Sequence, residues 1–372
     1  MSARLVVRKV KNGETISSHL TEDMRKTIKH FQHTSVEALL MYRTGDGKSP
    51  PWHSYGKAYQ DFSVDDCHSY LNTKAPVIVE AMSFMDVEGN TFEVDDKRIA
   101  YWYIDLDNDG IPEAHQLGIV GLDTKTLSNK KFFESFRKWE DLGYRMDTAG
   151  YLAGGSKVFG TIDLNVNFND FVVREGDAIR PNFFAAHSHD NSLSLTGGLS
   201  WTRIVCNNTL SVALSSANNN EEKNIVKFKH VGDLDWKTSQ IHEIANKIIE
   251  KTKLQVEKYR ELNSKKITEA NVNQFVNLIQ GKTIDSDKIG PVHKSVWEKF
   301  EKGIAIEKIG SATFWDLLNS WTELVTHDLG NEQVSESAGD RVARRLESAW
   351  FGTGNQTNNK AFDVAMKLMK NS

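Results

Sequence analysis

The hydrophobic period of this chain changes along its length, and that change limits the folds open to it. From about Ala75 to Phe171 apolar residues mostly alternate, the pattern of half-buried strands. After about Asp235 they recur every three or four residues, the pattern of amphipathic helices. A chain written this way reads as α+β: an antiparallel sheet core with packed helices, β-β-β-α-like in order, then a helical C-terminal region. We expect a lead segment over 1–45, an α+β core over 46–235 and a helical region over 236–372. At 372 residues there is ample chain to bury a core.

Individual elements follow from local chemistry. RIAYWYIDL is β-branched and aromatic, LDNDG closes it with a turn, and AHQLGIVGL is the return strand. Ser63 is placed to cap a short helix through Leu71, with Asp65 and Asp66 in its first turn. Thr126 to Leu142 predicts one helix, because Phe132, Phe133, Phe136 and Trp139 share a face. GYLAGGSKVFGTIDLNV, REGDAIRPNFFAAHS and LSLTGGLSWTRIVC are further strand candidates. Beyond them the spacing predicts a helix from Asn207 or Asn208, carrying Leu210, Val212, Ala213 and Leu214. Later helices are expected around Ile241–Ser264, around Val272–Ile279 with Gly281 as its stop, around Phe314–Val325, and over Arg341–Trp350 and Ala361–Met369.

Charge and cysteine content exclude several classes. The 46 basic and 50 acidic residues give a net charge of −4, so no strongly basic nucleic-acid binder is written here, although a local basic face remains open. Cys67 and Cys206 make neither a disulfide framework nor a zinc-finger spacing, and fit a reducing compartment. No apolar run suggests a signal peptide or a membrane span, so the expected location is the cytoplasm and no membrane partner is expected.

Six segments resemble one family in order: PWHSYGK with Trp52, His53 and Gly56; LGIVG at Leu117 to Gly121; TAGYLAGGSKVF; SHDNSLSL followed by RIVCNNTLSVAL; FKHVGD; and FWDLLNSWTELVTH with Asn319, Thr322, Glu323 and His327. The pattern resembles the phage/plasmid-like protein family, a family built on a domain of unknown function. It spans roughly residues 50–330. The chain departs from it at Asn191, where the family shows Gly, and in a longer acidic insertion at Asp105 to Glu113. The resemblance implies a protein carried by phages or plasmids and acting in the host cell. Its strand and helix order is similar to the core of phage single-strand annealing proteins such as the Erf and lambda Red beta groups, an analogy of fold alone.

The candidate chemistry lies in several separate places. Lys130 and Lys131, and separately Lys227 and Lys229 with His230, form basic clusters, with Phe228 and Trp236 nearby; cations beside aromatics suit single-stranded nucleic acid. Arg203, Asn207 and Asn208, at the expected helix start, would add phosphate contacts. Asp105, Asp107, Asp109 and Glu113 could hold Ca2+ or Mg2+, but a polar hairpin turn explains them with no metal, and Gln116 stands where a calcium loop needs its closing Glu. His187, His189 and Asp190 could bind zinc or another transition metal if His53 or His230 joined them; the alternative is a hydrogen-bonded histidine pair shaping a turn. The Gly-rich GYLAGGSKVFG lacks a phosphate-loop ending and reads as a tight turn. The leading expectation is a single-stranded DNA-binding protein, oligomeric through its C-terminal helices, able to promote annealing without nucleotide hydrolysis or a required cofactor. The alternatives are a non-catalytic host-interaction protein of antirestriction type, with a host protein partner, and a metal-dependent enzyme at His187, His189 and Asp190.

Overall fold

A computed structural model describes residues 38–43, 56–85, 91–104, 113–164, 171–203, 209–212, 225–243, 245–284, 290–301, 311–325, 348 and 351–372. The chain forms two compact units, the first from Met1–Ile162, Phe184–Gly197 and Val226–Glu243, the second from Asp163–Phe183, Gly198–Ile225 and Ile244–Ser372. The α+β expectation holds: antiparallel sheets and helices occupy the earlier part, and helices dominate the C-terminal part.

In the first unit, β1 (Ala38–Arg43) lies parallel to β2 (Lys57–Tyr59) and antiparallel to β6 (Arg145–Leu152). Helix α1 (Val64–Tyr70) begins where the sequence places it. Ser63 accepts from the Asp66 backbone N–H while Asp66 accepts from that of Ser63, a reciprocal cap. Strands β3 (Val77–Met85), β4 (Thr91–Ile104) and β5 (Glu113–Gly121) form an antiparallel meander. After it come α2 (Asn129–Glu134) and α3 (Arg137–Asp141). The single helix expected over 126–142 is therefore broken. Ser135 Oγ donates to the Phe132 carbonyl at 2.5 Å, competing for the backbone at the break. The apolar face is as read: Phe132, Phe133 and Phe136 are fully buried, with ring centres 5.2 and 5.5 Å from Phe132.

Strand β7 (Lys157–Asp163) follows β6 through a tight 3-10 turn at Ala153–Gly155. Ala153, Gly154 and Gly155 all have positive φ there. A Cβ on Gly155 would stand 2.4 Å from the Trp102 ring, so the glycine lets the turn pass under that buried side chain. Strands β9 (Asp177–Ser188) and β10 (Leu195–Arg203) each contribute residues to both units. The strand order is β10-β9-β7-β6-β1-β2, with β12 (Ile225–Phe228) also on β10. Helix α4 (Leu234–Glu243) closes the unit.

The second unit holds β8 (Val172–Arg174), paired with β9, and β11 (Thr209–Val212), paired with β10. The helix expected from Asn207 is thus overturned: the described part of that segment is a strand. The run TLSV is short and half β-branched, and pairing with β10 outweighs an ambiguous local period. Among the described residues five helices follow: α5 (Ala245–Ser264), α6 (Glu269–Ile279), α7 (Pro291–Glu301), α8 (Phe314–Glu323) and α9 (Thr353–Asn371). Gly281, at φ 72°, ends α6 as expected. Helix α8 is core: Phe314, Trp315, Leu317, Leu318 and Trp321 are all buried. Beneath it Arg174 meets two buried carboxylates, Asp316 at 2.9 Å and Asp177 at 3.5 Å, and the Trp315 indole N–H donates to Asp177 at 2.9 Å. Among the described residues no helix is long and apolar enough to cross a membrane.

Candidate functional site

His187 lies near the end of β9 and His189 just past it, in the turn that follows. Both are buried, and their ring centres are 4.8 Å apart. Helix α2 covers them: Phe132 stacks 4.9 Å from His187, and Asn129 Oδ1 accepts from His189 Nε2 at 2.8 Å. That bond puts the His189 proton on Nε2 and leaves Nδ1 as a lone-pair donor. His230, just past β12, brings a third buried ring to 5.7 Å from His187. Its carbonyl accepts the Lys125 backbone N–H at 2.8 Å, which pins the loop. Three histidines thus share one pocket in the first unit.

Burial pushes all three imidazoles away from their charged forms. His187 is held well below the usual histidine range, His189 is pushed down to about 3 and His230 to about 4. The charge of Asp190 opposes this at His189 and His230. The HSHDNS turn is built to hold that carboxylate. Asp190 Oδ1 accepts the Ser192 N–H at 2.9 Å, and Ser188 Oγ accepts the Leu193 N–H at 2.8 Å. Asn191 takes φ 61°, a left-handed conformation that Asn tolerates nearly as readily as Gly, and its side chain donates to Thr124 Oγ1 at 2.7 Å. Gly118 of β5 lies so close that a Cβ there would stand 2.3 Å from Asp190 Cβ. Of the two readings of His187 and His189, hydrogen bonding describes His189 only. Neither ring nitrogen of His187, nor Nε2 of His230, has a hydrogen-bond partner among the described residues.

The basic residues divide differently from their order in the sequence. Lys227 and Lys229 are exposed, but His230, grouped with them by sequence, is buried in the histidine pocket. Phe228 meets Trp236 with ring centres 6.1 Å apart. Trp236 itself is 55 % exposed. Lys130 and Lys131 are exposed on α2, and Lys131 Nζ is tied to Asp235 at 2.7 Å. Arg203 ends β10, while Asn207 and Asn208 lie outside the described residues, and with β11 a strand the expected helix N-terminus is gone. Asp105, Asp107 and Asp109 also lie outside the described residues, and Glu113 opens β5. Among the described residues no group of three or more His, Cys, Asp or Glu side chains could hold a metal ion.

Two features escaped the sequence reading. Asn129 carried no pattern that linked it to a histidine 60 residues away. His68 joins Thr73 through Nδ1 and Glu134 through Nε2, the latter at 2.7 Å, and Arg137 holds Glu134 at 2.6 Å and Asp65 at 2.5 Å. Thr73 is 1 % exposed, so this hydroxyl–imidazole–carboxylate chain has no access for a substrate and ties α1 to α2 and α3. A cleft of about 450 Å³ nearby, edged by Asp61, Asp66, Glu140 and Arg145, is satisfied internally: Arg145 pairs with Asp61 at 3.1 Å and Glu140 accepts the Val64 N–H at 2.8 Å.

Residues 116–350 match the family described as "Domain of unknown function (DUF932)", and the chain belongs to that family. The matched span includes the three histidines, Asp190 and Trp236. No curated protein and no solved structure matches the chain.

Proposed function

We propose that this protein binds single-stranded nucleic acid through the surface around Trp236. The carrying observation is that Trp236 leaves 55 % of its surface in solvent while its ring is braced edge-on by Phe228. A large, rigid, exposed aromatic is a stacking platform for an unpaired base, worth about 1–3 kcal/mol per base. Exposed cations precede it in the chain, some close in sequence and some brought near by a tertiary contact. Lys227 and Lys229 are exposed, and Lys130 is exposed next to Lys131, whose bond to Asp235 brings α2 beside the residue preceding Trp236. Lys237 is held by the carbonyls of Lys229 and Val231, which fixes the approach of α4 to the lysine-bearing loop. The net charge of −4 confines any such binding to a local face and makes it steeply dependent on salt.

Carriage by a phage or plasmid, oligomerisation and promotion of annealing without nucleotide hydrolysis are parts of the same proposal. Fluorescence anisotropy of labelled single-stranded and duplex DNA over a salt series tests it. Binding should favour single strands. Trp236→Ala should weaken it by about 5- to 150-fold, since loss of one stacked base is worth about 1–3 kcal/mol. Lys227→Ala with Lys229→Ala should flatten the log–log salt slope by about 1.4, two phosphate contacts at about 0.7 each. No salt-dependent binding at low ionic strength would end the proposal and leave a host protein as the ligand to seek.

A further inference from the structure

We propose that the three-histidine cluster is an acid-opened latch: proton uptake by His187, His189 and His230 frees the segment from His230 through α4, the one that carries Trp236. The latch stands on the cluster alone; that its opening would switch off strand binding rests on the reading above.

Three observations carry it. The first is that the rings are packed on one another with no room for charge. His187 meets His189 at 4.8 Å and His230 at 5.7 Å, and the three residues are 0, 3 and 6 % exposed. Positive rings this close repel, and His187 has no exposed surface through which water could screen them. The second is that the surroundings suit neutral rings. From α2, Phe132 packs on His187 and Asn129 Oδ1 accepts from His189 Nε2; neither residue is charged. The Ser156 carbonyl, just before β7, accepts the His189 backbone N–H at 2.7 Å, and β5 presents Gly118 to the turn. Among the described residues the charges that act on the cluster are Asp190, which favours protonation of His189 and His230, and Lys237 of α4, which opposes it at His230. One carboxylate cannot balance three imidazolium rings. Both ring nitrogens of His187, and Nε2 of His230, have no acceptor waiting for a new N–H. The third observation is what the cluster holds. The His230 carbonyl accepts the Lys125 N–H at 2.8 Å, and Lys237 Nζ ties α4 back to the carbonyls of Lys229 and Val231. A displaced His230 therefore takes α4 and Trp236 with it.

The direction and steepness follow from linkage. Burial, first of all, works against the charged form of each ring, so the closed latch stays neutral until the pH nears about 4, where His230 begins to titrate. A released histidine regains its ordinary value of 6.5. Opening is thus favoured as pH falls below about 6.5, and the gain saturates below the folded values. Between pH 7.5 and 5.5 each released histidine raises the opening equilibrium about tenfold, so three raise it about 1,000-fold. Clusters of histidine are known to serve as proton-driven switches on this principle.

Hydrogen exchange of the full chain, followed by mass spectrometry at pH 7.5 and 5.5 and corrected for the intrinsic pH dependence of exchange, tests it. Peptides covering residues 229–243 should lose about 1,000-fold in protection, while those covering α8 stay protected. His230→Gln should cut the change to about 100-fold, because one proton site is gone. If that variant does not fold, 15N-histidine NMR of the wild-type chain decides: three histidines should stay neutral in the closed form below pH 6 and gain protons only with opening. Protection of 229–243 that does not change with pH, a change left intact by His230→Gln, loss of protection across the whole chain at once, or all histidines titrating near 6.5 without opening would overturn the proposal. None of these readouts requires nucleic acid, so the latch and the binding reading fail separately.

Discussion

Arg174→Met should unsettle the second unit more than any nearby surface change. Arg174 is the common partner of Asp316, which is 0 % exposed, and Asp177, which is 3 % exposed. Removing one member of a buried ion pair is destabilising by about 3–5 kcal/mol, because a desolvated charge is left behind. The lower end applies here. Asp316 Oδ2 keeps both bonds from Thr313, at 2.9 Å each, Asp177 keeps the Trp315 N–H, and the Arg174 side chain is already 23 % exposed, so water can reach the vacated space. A loss of about 3 kcal/mol, with a urea m-value of about 2 kcal/mol/M, lowers the midpoint by about 1.5 M. Urea melts followed by circular dichroism measure it. The double variant Arg174→Met, Asp316→Asn should recover more than half of the loss, since Asn keeps an acceptor for the α8 cap and removes the charge. A single variant within about 1 kcal/mol of wild type, or a double variant as unstable as the single, would refute the reasoning.

Three further outcomes follow from other contacts. Gly155→Ala should lower stability by about 2–4 kcal/mol, combining left-handed strain at φ +89° with a Cβ 2.4 Å from the Trp102 ring; thermal melts read it, and Gly176→Ala, strained but with nothing within 4 Å, should lose less. Cys67 is fully buried and its thiol is pushed well above its ordinary range by desolvation, so a thiol reagent at pH 8 should modify it only as fast as the protein unfolds, as peptide mapping after timed labelling would reveal. Glu134 is held below the ordinary value of 4.5, chiefly by Arg137 and further by His68. Its contribution is therefore present above about pH 4.5 and is lost as pH falls through the lower folded value, and Glu134→Gln should make stability less dependent on pH across that acid range.

The parts of the fold legible in the sequence are those whose physics is local. Ser63 and Asp66 cap α1 across three residues, Gly281 ends α6 at its own positive φ, and the alternation in RIAYWYIDL and AHQLGIVGL forms the β4–β5 hairpin. The aromatic face of residues 132–139 was likewise readable, although not its interruption at Ser135, which depends on a side chain competing for one carbonyl. The segment at Thr209 failed for the opposite reason. Its apolar spacing suited either structure, and the partner that decided it, β10, is a tertiary neighbour.

The site depended still more on distance. Sequence alone placed His187 and His189 two residues apart at the end of a strand candidate, which the structure ends at Ser188. It also placed exposed lysines around Trp236, and it held His230 both as a lysine-cluster member and as a possible third ligand. Only the tertiary structure decided where His230 lies, by burying it against His187, and it alone set Asn129 on His189 from 60 residues away and brought Arg174 to Asp316. The physical reason is one of range. Caps, turns and periods act within a few residues and are written where they act, whereas burial, desolvation and the pairing of charges belong to neighbours that folding alone brings together.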